Sequence, residues 1–146
     1  MAGRPIPNVQ EQATLATIRA GDLLMRTVAD LLKPYALSPT QYNVLRILRG
    51  AGREGASAKE IGTKLIARDP DVTRLMDRLE KRGLLTRDRA QEDRRVVTHC
   101  LTGEGLALVN ELDGPVRELH RRNLRGLDSA KLQTLMSILA EIRIEG

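Results

Sequence analysis

Apolar residues recur along most of this chain with the three-to-four spacing of helices, and the pattern switches once to alternation. From Val9 to about Lys33, Ala13, Ala16, Leu23, Leu24, Val28, Leu31 and Leu32 line one stripe, and Pro34 ends the run. "SPTQ" opens a second helix, with Ser38 as N-cap, Pro39 in the first turn and Gln41 three residues past the cap. It carries Tyr42, Leu45 and Leu48 and stops near Gly50 to Gly52. A third, short helix starts at the capping box "SAKE", Ser57 to Glu60, and places Ala58, Ile61 and Leu65 inward.

The fourth helix lies within "ARDPDVTRLMDRLEKRG". Asp69 stands where a cap belongs, Pro70 at the first helical position and Gly83 where a left-handed C-terminal glycine belongs. Alternation then takes over. "LLTRDR" and "RRVVTHCL" predict two short strands joined at a tip around "AQED". Helical spacing returns at Thr102 with Leu106, Val109, Leu112, Val116 and Leu119, and a bend is expected at Gly114-Pro115. Asp128 caps a last helix, with Leu127 and Leu132 at the spacing of a hydrophobic staple. Its stripe is Leu132, Leu135, Met136, Leu139 and Ile142. The fold class expected is mainly α with a small β-hairpin, because two helices joined by a short turn and followed by a hairpin make a winged helix-turn-helix. Residues 38–101 would form that DNA-binding region. Residues 1–37 and 102–146 would supply the flanking helices.

Composition narrows the function. The 146 residues carry 24 Lys and Arg against 19 Asp and Glu, a net charge of +5, which suits a polyanionic partner. Two Tyr, no Trp and no Phe leave few surfaces on which single-stranded bases could stack, so duplex DNA fits better. One Cys excludes an internal disulfide framework. "MAGRPIPNVQEQ" has no apolar signal core and no apolar run approaches a membrane span, so a cytoplasmic protein without membrane association is expected.

On a helical wheel Val72, Leu75, Met76 and Leu79 fall on the buried side of the fourth helix. Pro70, Asp71, Thr73, Arg74, Asp77, Arg78 and Lys81 fall across from or beside it. Thr73 and Arg74 lie near the helix start, the end that approaches base edges, and a guanidinium fork can bond two acceptors on guanine or clamp a phosphate. Asp77 and Lys81 also have the spacing of a solvent-facing i,i+4 pair. "RDRAQEDRRVV" is dense in both signs of charge. At a hairpin tip beside a recognition helix, Arg94 and Arg95 would meet the electronegative minor groove, with Asp93 orienting an arginine.

Together "LSPTQYNVLRIL", "VTRLMDRLEKRGLLTR" and "EDRRVVTHCLTGEG" resemble the MarR (multiple antibiotic resistance regulator) family of bacterial transcription factors over residues 38–105. The resemblance implies a homodimer in which the first, fifth and sixth helices interlock, so that residues 1–37 and 102–146 are dimerisation helices of one intertwined domain. It also implies Arg95 as the minor-groove residue, with Arg94 on phosphate or on Asp93, and a pseudopalindromic operator. Relatives of this kind are mostly repressors released by small ligands, often aromatic carboxylates, held between the dimerisation and DNA-binding parts. Helix position makes Arg19, Arg26 and Tyr42 candidates for lining such a pocket. Asp69 and Asp71 depart from the usual polar start of the recognition helix, and capping or acceptance from a cytosine amino group would explain them.

Other chemistry has little support. His99 and Cys100 point to opposite faces of a strand, His120 sits in "ELHRRN", and no metal-ligand spacing is present. Packing or surface roles are expected for all three, and no cofactor. "GAGREG" lacks the Lys-Ser/Thr pair of a phosphate loop, and Glu92-Asp93 lies among arginines that keep carboxylates ionised, so an enzyme is not expected. The competing readings are a winged-helix module that binds protein, and a regulator triggered by metal or oxidant.

Overall fold

The computed structural model describes residues 5–89 and 96–144. Helix α1, Val9–Leu32, opens on Asn8, whose Oδ1 accepts the Glu11 N–H at 2.7 Å. Of its 24 residues only Leu32 is buried. A 3-10 turn, Lys33–Tyr35, follows, and Ala36 turns the corner in the left-handed region at φ 52. Helix α2, Pro39–Ala51, starts on the expected reciprocal cap: Ser38 Oγ accepts the Gln41 N–H at 3.1 Å, and Gln41 Oε1 accepts the Ser38 N–H at 2.9 Å. Ser57 and Glu60 repeat the device at helix α3, Ala58–Lys64.

Helix α4, Val72–Lys81, buries Met76 and Leu79 and half-buries Val72 and Leu75, so the wheel's inner side is its inner side. Gly83 adopts φ 74 and turns the chain into strand β2, Leu85–Arg89. Strand β3, Val97–Leu101, returns antiparallel with Leu85 opposite Leu101 and Arg87 opposite His99. The hairpin is larger than expected. A two-residue strand β1, Ala56–Ser57, pairs with the far side of β3, giving the order β1-β3-β2. Two residues carry no readable alternation, so the pairing is visible only in space. Gly55 makes the approach possible: at φ 68, a Cβ there would stand 2.4 Å from the His99 carbonyl oxygen.

Helix α5, Gly103–Asn123, is capped by Thr102 and runs as one helix through Gly114 and Pro115. Pro115 cannot donate to the Glu111 carbonyl four residues back, but both residues are exposed, so water takes that carbonyl, while Leu112 and Val116 turn inward and are buried. Helix α6, Ser129–Ala140, is capped by Asp128. Ile142 lies beyond its end, so the expected stripe is helical only as far as Leu139. The core joins Leu32 of α1, Tyr42, Leu45 and Leu48 of α2, Ile61, Met76, Leu79 and Leu85, and Val109, Leu112 and Val116 of α5.

Candidate nucleic-acid interface

The start of α4 differs in one detail from the sequence expectation. Asp71, not Asp69, is the N-cap: its Oδ1 accepts the Arg74 N–H at 3.2 Å. Asp69 instead accepts the Asp71 N–H at 2.8 Å. That side-chain turn spans Pro70 and delays the helix by two residues, so Pro70 precedes the helix instead of opening it. Pro70, Asp71, Thr73, Arg74 and Arg78 are exposed. Hydroxyl and guanidinium groups therefore project from the side of the helix away from Met76 and Leu79.

Asp77 has a partner other than Lys81. Its carboxylate takes the Arg87 guanidinium of β2, which also reaches Glu80 Oε2 at 3.3 Å. Asp77 is thus spent on fastening the hairpin stem to α4, and no Asp77–Lys81 ion pair is present among the described residues. Asp93, Arg94 and Arg95, the wing-tip residues singled out above, lie outside the described residues. What is described is the stem that carries them.

His99, directly opposite Arg87, is only 4% exposed, and its Nδ1 has no hydrogen-bond partner. Burial pushes its pKa below the ordinary imidazole value, and the nearby Arg87 charge acts in the same direction against Glu80 and Asp77. His99 lines a cavity of about 460 Å³ between α4 and the sheet, together with Ser57, Lys59, Thr73 and Arg87. Cys100 is half-buried, its Sγ 3.6 Å from the Arg53 carbonyl oxygen. No group of three or more potential metal ligands is present among the described residues.

A second cavity, about 220 Å³, lies among α1, the start of α2, the α3–α4 turn and α5. Met25, Tyr42, Arg46, Ile66, Val116 and His120 are among its walls. Tyr42 is where the sequence placed it, but Arg19 and Arg26 do not line the cavity. Both are exposed, and Arg26 pairs with Asp22 at 2.9 Å. The cation that does line it is Arg46, whose guanidinium sits 5.9 Å from the Tyr42 ring centroid, and His120 adds an imidazole. Burial raises the Tyr42 hydroxyl pKa, and Arg46 partly offsets it, so the phenol stays a neutral donor. Sequence reading missed Arg46 because its role depends on which turn of α2 faces α5.

The flanking helices leave much apolar surface bare. α6 has no buried residue: Leu132 is half-buried and Leu135, Met136, Leu139 and Ile142 are exposed, Met136 by 62%. On α1, Ile18 and Leu23 are more than 60% exposed.

Comparison with known proteins places this arrangement. A model of the MarR family matches residues 37–97. The HTH-type transcriptional regulator PecS of Dickeya dadantii is 33% identical over 126 residues, 85% of this chain and 74% of that protein. The crystal structure of a MarR transcription factor from Planctomyces limnophilus is similar with a TM-score of 0.72 and 37% identity, over 95% of this chain and 100% of the other. The chain belongs to the MarR family. It is a MarR-family transcriptional regulator with a winged helix-turn-helix, as the α3–α4 pair and the β2–β3 hairpin already indicated. The MarR fold is shared with BpsR of Bordetella bronchiseptica, whose structure describes regulation of its DNA binding by 6-hydroxynicotinic acid. The TM-score is 0.81 at 24% identity, over 96% of this chain and 100% of that one. Among the described residues no helix of this MarR protein is long and apolar enough to cross a membrane.

Proposed function

We propose that two copies of this chain bind a pseudopalindromic duplex operator as a repressor that a small ligand releases. The observation that carries this reading is the outer face of α4: Thr73, Arg74 and Arg78 stand in solvent beside a hairpin locked to the same helix by Arg87. A helix presented in this way enters the major groove, and Arg74 is placed to read guanine or clamp phosphate. Arg94 and Arg95 would extend the contact to the minor groove, with Asp93 holding one of them. Ser38, Ser57 and Asp71 fix the starts of the helices that face the backbone.

The bare apolar stripe of α6 and the exposed turns of α1 support dimerisation through Leu132, Leu135, Met136, Leu139 and Ile142, since an apolar face of that extent marks a protein interface. For the ligand, the Tyr42–Arg46 cavity supports an aromatic anion: an apolar wall with a guanidinium and an imidazole at its polar edge. A ligand that prefers one spacing of the two DNA heads lowers operator affinity by its differential affinity for the two states.

Selection of bound duplexes from a random pool, with and without 6-hydroxynicotinic acid, tests all three parts. Paired half-sites about one helical turn apart are expected, with binding that falls steeply as salt rises. A flat salt response and no enriched sequence would favour a protein-binding module.

A further inference from the structure

Arg82 sits in "LEKRGLLTR", a segment that carries much of the family resemblance, yet it belongs neither to the core nor to the outer face of α4. It is the C-cap of that helix, and its guanidinium reaches away from it. Nη1 donates to the Ala36 carbonyl at 2.6 Å and Nη2 to the Tyr35 carbonyl at 2.9 Å. Two donors held in one plane meet two successive carbonyls, a match that a lysine ammonium does not reproduce. The acceptors form the corner between α1 and α2. Ala36 there is the one non-glycine residue with positive φ among the described residues, a conformation worth a stabilising partner.

The turn that leads into the recognition helix is fastened to α2, just beyond that corner. The Ile66 N–H, in the turn that leads into α4, donates to Asn43 Oδ1 in the first turns of α2 at 2.9 Å. Among the described residues it is the only hydrogen bond that joins residues 66–70 to another element. Asn43 and Ile66 also line the Tyr42–Arg46 cavity.

We propose that Arg82 and Asn43 are positioning residues, Arg82 fastening the C-terminal end of the recognition helix to the α1–α2 corner and Asn43 fastening the turn that leads into it to the start of α2, and that together they translate the position of α1 and α2 into the spacing of the two DNA heads. The inference rests on the dimeric DNA-binding reading above and adds to it the parts that set spacing. α4 is about 15 Å long, and B-DNA advances about 3.4 Å per base pair, so a displacement of its ends by about one such step puts it out of register with its half-site. An occupant of the cavity touches one of the two fasteners directly, through Asn43 and Ile66.

The test is selection from a duplex library in which two half-sites are separated by spacers of varied length, with parallel titration of a single half-site. Arg82→Ala and Asn43→Ala are expected to lose about tenfold on the paired site and to accept a wider range of spacers. Single half-site affinity and salt dependence stay as in the wild type. Asn43→Asp, which keeps the acceptor, is expected to retain the wild-type spacing, whereas Arg82→Lys is not. Unchanged spacer preference in well-folded Ala variants overturns the inference. So does a shallower salt dependence for Arg82→Ala, which would make Arg82 a phosphate contact, or an equal loss on single and paired sites, which would mean general damage. If the wild type enriches no paired half-sites, the proposed function falls and this inference with it.

Discussion

Arg49 of α2 forks onto Asp113 of α5, with Nη1–Oδ2 at 2.6 Å and Nη2–Oδ1 at 3.0 Å, and Nη1 also donates to Asn110 at 2.8 Å. The pair bolts α2, the helix that precedes the helix-turn-helix, to the long helix behind it. The hydrogen bond from Arg49 holds the Asp113 carboxyl below the usual carboxylate range. A depressed folded pKa stabilises the fold above the unfolded value of about 3.8 and loses that stabilisation as pH falls through the folded one. Asp113→Asn is therefore expected to cost about 1 kcal/mol at neutral pH, with the gap to wild type closing below about pH 3.8. Urea unfolding at several pH values measures it; a gap that persists in acid contradicts the assignment.

His99 predicts a different pH window. Its pKa is lowered in the folded protein, so its neutral form stabilises the fold above the unfolded value of about 6.5. That contribution is lost as pH falls from there through the folded value. Melting temperatures between about pH 7.5 and 5 should therefore drop more for wild type than for His99→Phe. Parallel curves would show that this imidazole does not titrate against the fold.

Arg87 is expected to matter for DNA without touching it. Arg87→Ala frees Asp77 and Glu80 to repel phosphate and unfastens the hairpin from α4. A loss of about tenfold or more in operator affinity is expected, partly recovered in the Arg87→Ala/Asp77→Ala double variant. Fluorescence anisotropy on the four members of the cycle decides it: strict additivity would separate the two residues.

Arg74 and Arg95 should fail in different ways. Arg74→Ala is expected to cost about 1–3 kcal/mol and relax base preference, whereas Arg95→Ala should weaken binding across sequences. Site selection with each variant checks this, and two variants that bind like wild type would remove both residues from the interface.

Leu135→Asp and Leu139→Asp place a carboxylate on the bare stripe of α6. Monomers with poor operator affinity are expected, because a buried unpaired charge outweighs the apolar contact it replaces. Light scattering that still reports a dimer would move the interface elsewhere.

The MarR character of the chain was readable in "LEKRGLLTR" and "LTGEG", and the helix starts were readable wherever a cap acts within its own turn. Ser38, Ser57 and Asp128 all cap as their spacing implies, since a capping side chain reaches only three residues along the chain. Asp69 shows the limit: two carboxylates flank Pro70, and either could serve, so local spacing alone does not choose between them.

What determines itself from the order of residues is thus whatever is closed within a turn or repeats with a helix's period: the α4 wheel with Met76 and Leu79 inward, the αL glycine at 83, the stripe on α6. Tertiary structure alone decided the rest. Arg49 and Asp113, Arg87 and Asp77, Arg82 and Tyr35, and the short strand at Ala56 are partners from different elements. A charged side chain reads the same in sequence whether it faces solvent or a counter-charge, and only the packing of the shared core sets which of the two it meets.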